Sequence, residues 1–334
     1  MRGILVTLGW LMVGLLPQGL EGQTAPEGKR VGIIGLDTSH SPAFVRAFNA
    51  AEPSPELRGY RVVAAYPYGS RTIESSYSRI PGYTEEVRGM GVEIVGSIAE
   101  LLARVDAVLL NTNDGRLHLE QALEVFQAGK PVFIDKPVAA SLADAIAIFA
   151  AAERYGVPAF TSSTLRYTPD VQAVRNGAIG RVIGADAYSP ARLEPTHPDL
   201  FWYGIHGVEI LFAVMGTGCE TVARQHTADT DVVTCLWGDG RIGTFRGLRG
   251  GRTSYGGTAF GADSIAVLEY GGGYDGLTKE VAAFFESGTA PVSAEETLEI
   301  FAFMEAAEES KRRGGAPVSM AEVMAAARRE AAGR

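Results

Sequence analysis

Gly35-Leu36-Asp37-Thr38-Ser39-His40 has the residue types and spacing of a phosphate-binding turn, altered at two places. In a G-x-G-x-x-G turn the first glycine makes the sharp bend, the second lets the backbone approach a diphosphate, and the third lets helix pack on strand. Asp37 and His40 occupy the second and third positions here. A carboxylate at the second position repels a diphosphate unless it points away or binds a cation. Gly35, Thr38, Ser39 and His40 still present a tight turn, two hydroxyls and backbone N–H groups at a helix start, which favours anions. The alternative is local: Asp37 or Thr38 caps the following helix.

A second group of candidates lies between residues 197 and 209. His206 and Glu209 are three residues apart, on one helix face, so the carboxylate is placed to orient the imidazole. Trp202 and Tyr203, next to His197 and Asp199, would make a platform for a sugar: flat rings pack on its apolar face while polar neighbours bind hydroxyls. Phe201 serves equally well as core. The spacing of His197, Asp199, His206 and Glu209 matches no closed metal-ligand set, so no metal is expected.

The elements that must position these residues follow from hydrophobic periodicity. Strand-like runs at 31–34, 61–65, 92–95, 107–110, 132–134 and 159–161 alternate with helical stretches, among them 117–127 and a run to 155 capped by Ser141. Such alternation predicts an α/β fold with an N-terminal Rossmann-type, doubly wound parallel sheet over residues 30–163. After residue 165 the pattern becomes strand-rich, with runs at 181–188, 221–227, 232–237, 242–248 and 264–270 and a helix at 207–215. Residues 164–294 are therefore expected to form a C-terminal α+β domain with an open, mainly antiparallel sheet for substrate binding and oligomerisation. Helices in 295–334 would pack back on the first domain. Homo-oligomerisation through the open sheet is one possibility.

Composition bounds the partners. The chain has 334 residues, 46% of them hydrophobic, enough for two packed domains. Its formal net charge of −9 argues against a nucleic-acid partner, which needs concentrated Lys and Arg. Met1-Arg2, an apolar run over 4–16 and small residues over 19–25 have the layout of a secretory signal peptide. Residues 1–22 are read as that signal and 23–29 as a linker, giving a secreted or periplasmic protein with no membrane association after cleavage. Cys219 and Cys235 lie on segments that would be neighbouring strands, where an oxidising compartment permits a disulfide. We read them instead as two buried small apolar residues, since register is not fixed by sequence.

At 132–137 the chain reads Val-Phe-Ile-Asp-Lys-Pro, a strand ending in a lysine held by a proline, with Ala159-Phe160 and Arg166-Tyr167 beyond the next helix. This resembles the Gfo/Idh/MocA family of sugar and polyol oxidoreductases across nearly the whole chain after residue 30. The resemblance implies that Lys136 lies between nicotinamide and substrate, with Asp135 in place of the family's Glu, and that His206 moves the substrate proton. Trp202 stands where the family has an aspartate. The resemblance further assigns Arg166 and Tyr167 to the substrate, and Asn113, His118, Asp135 and Lys136 to the coenzyme. The second strand is followed by Ser70 and Arg71 rather than by an acidic residue for an NAD ribose, so the coenzyme is expected to be NADP or NAD, with NADP slightly preferred. The implied function is hydride transfer between nicotinamide and a hydroxyl-bearing carbon of a sugar, polyol or glycoside. The same scaffold would also serve a carbohydrate-binding protein that has lost its dinucleotide site, or a lyase or glycosidase that uses nucleotide transiently.

Overall fold

The structure, a computed structural model, describes residues 28–333. The signal assigned to residues 1–22 lies outside the described residues, as does most of the 23–29 linker.

Six short strands run through the first part of the chain: β1 (Arg30–Ile34), β2 (Arg61–Tyr66), β3 (Glu93–Ile94), β4 (Ala107–Leu110), β5 (Val132–Ile134) and β6 (Ala159–Thr161). All pair in parallel, in the order β3-β2-β1-β4-β5-β6. Their sequences are apolar at nearly every position because both faces are covered. Ile34, Val108, Leu110, Val132 and Ile134 pack with Ala122, Val125 and Phe126 of the helix His118–Gln127 and Leu142 and Ile148 of Leu142–Tyr155. Val31, Ile33, Leu109 and Phe133 share a second cluster with Phe44 and Phe48 of His40–Phe48, and with Leu277, Val281 and Phe284 of Asp275–Ser287. Burying each such side chain contributes roughly 1.5–3 kcal/mol.

The strand order reverses between β1 and β4. Chain leaving β1 and chain leaving β4 therefore turn to opposite sides, opening a crevice at the carboxyl ends of the strands, where sheets of this kind hold ligands.

The second sheet contains β7 (Val182–Pro190), β8 (Cys219–His226), β9 (Thr230–Trp237), β10 (Ile242–Leu248), β11 (Gly256–Gly261), β12 (Ile265–Glu269) and β13 (Val318–Ser319). Its order is β12-β11-β7-β10-β9-β8-β13, antiparallel except between β7 and β10. β11 and β13 were not expected from sequence. One face packs on the helices Ile205–Met215 and Ala294–Arg312; Leu236, Ile242, Phe260, Ile265 and Val267 elsewhere on the sheet are exposed. Every residue of Ile205–Met215 is buried, which fixes the height of His206 within the molecule. Ala294–Arg312 touches both β8 and Leu142–Tyr155, and Met320–Ala331 lies on Leu142–Tyr155, so the C-terminal helices bridge the two sheets.

Cys219 and Cys235 are joined in a disulfide, with Cα atoms 6.0 Å apart, which corrects the expectation of two unpaired residues. An irregularity in β8 between Cys219 and Thr221 offsets the ladder, so that Cys219 reaches Cys235 although Val222 is its direct partner. The bond spans a sequence separation of 16. In the chain-entropy account, closing a loop of that size stabilises by about 3 kcal/mol. The Cys219→Ala/Cys235→Ala double variant should lose about that much in denaturant unfolding, and thiol titration of the unfolded, unreduced chain should find no free cysteine. A free-thiol signal would show that the pair does not form.

Candidate active site

A cleft of about 430 Å³ lies where the carboxyl ends of the parallel strands meet the second sheet. From the first sheet it receives Thr38, Ser39 and His40 after β1, Asn113 after β4 and Lys136 after β5. Trp202, Tyr203 and His206 come from the other side, at and just before the start of Ile205–Met215. Sequence reasoning had proposed all eight, and the fold brings them together from segments far apart in the chain.

Lys136 is 7% exposed, is joined to Pro137 by a cis peptide, and its ammonium has no ion pair among the described residues. Beneath it Asp135 is fully buried and accepts the Lys136 N–H at 2.9 Å. Its other oxygen lies 2.7 Å from His40 Nδ1, a contact that is an ion pair when the imidazole is protonated. Burial pushes the Asp135 carboxyl up, but His40 and Lys136 outweigh it and hold it at about 2. Asp135 thus anchors His40 and the Lys136 backbone, and does not line the cleft as its assignment to the coenzyme required.

His206 Nδ1 lies 2.8 Å from the Ser163 hydroxyl. Burial, then the nearby Lys136 and His40, push the imidazole well below its ordinary range, so the ring is neutral at physiological pH. Ser163, not Glu209, orients it. The Glu209 carboxylate accepts from Arg166 Nε at 2.8 Å, while Arg166 Nη1 donates to Glu296 at 2.5 Å. Glu209 is 3% exposed and burial raises its carboxyl, while Arg166, itself fully buried, is the cation that pairs with it among the described residues. Glu209 and Arg166 are therefore a structural pair, away from the cleft.

Four other expected ligands are also structural. His118 is buried with its ring nitrogens 2.6 Å from Thr112 O and 3.1 Å from Val138 O, joining the loops after β4 and β5. Asp199 binds Arg224 at 2.7 Å and Lys311 at 2.6 Å. Tyr167 is packed against the second hydrophobic cluster. Ser70 is buried, its hydroxyl 3.3 Å from Thr72 Oγ1. Arg71 is exposed after β2, its guanidinium 5.7 Å from the Tyr68 ring centre.

The cleft also holds residues that sequence reasoning missed. Tyr255, Tyr270 and Tyr274 extend the aromatic wall, and Arg79 and Arg192 add cations. Tyrosines bracketed by glycines, in Tyr255-Gly256 and Tyr270-Gly271-Gly272-Gly273-Tyr274, were the available signal. Among the described residues no cluster of His, Cys, Asp and Glu is placed to hold a metal ion.

A pyridine dinucleotide, the group this fold implies, can be tested against the donors present. Thr38, Ser39, Asn113 and Lys136 suit its nicotinamide end. At the crossing between β1 and β4 the groove is instead closed by protein. Gly35 has φ +97°, and a Cβ there would lie 2.4 Å from Thr112 N, so the two strand ends are in contact. Gly35 N–H donates to Tyr66 O at 3.1 Å and Leu36 N–H to Tyr68 O at 3.0 Å, leaving neither free for a phosphate. Asp37 does not cap the next helix, whose N-cap is Ser39. It accepts the N–H of Asn113 at 3.0 Å, the N–H of Ser70 at 3.3 Å and the Ser76 hydroxyl. Burial raises its carboxyl to about 6 against those hydrogen bonds.

Replacing Arg166 by Met should cost about 3–5 kcal/mol in denaturant unfolding, because Glu209 is left buried without its cation. If Arg166 served the substrate instead, stability would hold and only substrate affinity would fall.

Residues 29–163 match the model of an oxidoreductase family described as an NAD-binding Rossmann fold. The chain is 31% identical over 198 residues to 1,5-anhydro-D-fructose reductase of Ensifer adhaerens, covering 54% of this chain and 56% of that one. It is 48% identical over 58 residues to D-apiose dehydrogenase of Paraburkholderia graminis, 16% of each. The match thus spans about half the length of the first relative and much less of the second. Among solved structures, a probable dehydrogenase from Thermotoga maritima superposes with a TM-score of 0.70 at 20% identity, covering 88% of this chain and 99% of that one. Scyllo-inositol dehydrogenase from Lactobacillus casei, with bound NAD(H) and scyllo-inositol, gives 0.69 at 15% identity, covering 87% and 99%. At these identities the superpositions establish the fold. Residues 29–163 are thus similar to the Gfo/Idh/MocA family of oxidoreductases.

Proposed function

We propose that the chain is a nicotinamide-dependent oxidoreductase acting on a hydroxyl-bearing carbon of a sugar, polyol or glycoside. One observation carries the reading: an ammonium with no ion pair among the described residues, Lys136, and a neutral, hydrogen-bonded imidazole, His206, share one cleft. The coenzyme, when bound, supplies or accepts the hydride. Lys136 donates to the reacting oxygen and stabilises the negative charge that develops as its proton leaves. His206 takes that proton at Nε2, which requires Nδ1 to carry the ring hydrogen and donate it to Ser163. The imidazolium so formed is disfavoured by Lys136 and His40 and favoured by Asp135, so the proton is only transiently held.

The aromatic wall of Trp202, Tyr203, Tyr255, Tyr270 and Tyr274 suits the apolar faces of a carbohydrate ring. The names of the reductase, apiose dehydrogenase and inositol dehydrogenase to which the chain is similar support the same substrate class. NADP is the preferred coenzyme in this reading, because no acidic residue follows β2 and Arg71 is free at the surface there. Export to the periplasm or beyond is supported by the apolar leader and the Cys219–Cys235 bond. A homo-oligomer is supported by the apolar residues exposed on the second sheet. The competing reading, a carbohydrate-binding protein that takes no dinucleotide, draws on the closed crossing between β1 and β4.

With purified chain and a panel of sugars and polyols, coenzyme reduction should be seen with at least one of them. Lys136→Ala should lower kcat by about 10²- to 10⁴-fold, the usual range for a proton-handling group, with coenzyme affinity largely kept. Full activity in that variant would remove the lysine from the chemistry. Arg71→Ala should shift preference from NADP toward NAD, measured as the ratio of coenzyme dissociation constants. An unchanged ratio would leave Arg71 as an ordinary surface charge.

A further inference from the structure

The Asp37 carboxylate sits under the loops that leave three neighbouring strands. It belongs to the turn after β1, and it holds Ser70 and Ser76 of the segment after β2 and Asn113 after β4. A Cβ on Gly69 would lie 2.5 Å from Asp37 Oδ2, so the segment after β2 is pressed directly onto the carboxylate. A second tie reinforces the first: Arg116, held by Asp114 at 2.6 Å, donates to Thr72 Oγ1 at 2.7 Å. The same segment runs on to Ser75 and Arg79, which line the cleft.

A Rossmann fold seats a diphosphate at the turn after β1 and the start of the following helix, between the loops that leave the neighbouring strands. Here an internal carboxylate in that turn binds the Ser70 and Asn113 amides of the two flanking loops. It is an anion of the right sign and reach, supplied by the chain itself, and it pulls the loops together where a dinucleotide would have to pass between them.

We propose that Asp37 is a latch on the coenzyme groove, a side chain that ties the loops after β2 and β4 across the phosphate turn and must release Ser70, Ser76 and Asn113 before a pyridine dinucleotide binds. The inference rests on the oxidoreductase reading of the cleft, and it goes further in naming what limits coenzyme entry. Opening the latch and moving Ser75 and Arg79 at the mouth of the cleft are then one motion, because they belong to one short segment. The native chain accordingly binds NAD or NADP weakly, and loss of the carboxylate strengthens binding.

The test is calorimetric titration of the purified chain and its variants with NAD and NADP, with thermal unfolding to show that each variant is folded. Asp37→Gly should lower the dissociation constant at least tenfold. Ser76→Ala, which removes one tie without touching the turn after β1, should lower it severalfold and decides the matter if Asp37→Gly does not fold. Unchanged or weaker binding in folded variants would overturn the latch. Native binding already as tight as that of the variants would also overturn it, while leaving the oxidoreductase reading in place. No binding by any of the three proteins would overturn both.

Discussion

A charge buried in a protein interior costs several kcal/mol unless a permanent partner offsets it, and the whole site is organised by that constraint. Asp135 is matched to His40, Glu209 to Arg166, and Asp199 to Arg224 and Lys311. Lys136 and the neutral His206 stand outside these pairs and face the cleft from opposite sides. The same pairs do the positioning. Arg166 ties the segment that carries Ser163 to the helix that carries His206, and so it maintains the 2.8 Å contact between them at second hand.

This explains which parts of the site were legible in sequence. Lys136 was, because a strand end followed by proline fixes where the chain goes whatever surrounds it. Glu209 was misassigned by a sound local rule: three residues along a helix does place it on the His206 face, but a partner 43 residues away claims its carboxylate. Local spacing cannot see a counter-ion brought in by tertiary folding. Arg166 and Asp199 fail as substrate ligands for the same reason, and His118 because two backbone carbonyls enclose its ring.

The fold was more legible than the site because it depends on pattern rather than partner. All six parallel strands follow from alternation of apolar runs with helical stretches. β11 did not, since Gly256, Gly257 and Gly261 read as turn residues although the backbone there is extended and paired on both sides. β13 is two residues long and exists because β8 offers it an edge. The disulfide depended on a ladder irregularity that no composition or periodicity records.

Asp37 is where pattern and partner meet. The turn around it has the length and position of a phosphate turn, and the sequence flagged the carboxylate as an intruder. At an effective dielectric near 20, two like unit charges about 4 Å apart repel by about 4 kcal/mol, so an ionised Asp37 disfavours a diphosphate at the same turn. Burial already disfavours the ionised form, and the three donors around the side chain restore it in part. The ionised carboxylate is therefore held in the closed arrangement by its three donors at a net cost from burial, and access of water would relieve it. What such a group contributes to the closed arrangement is connection, one side chain tying the turn after β1 to the loops after β2 and β4 beside Lys136.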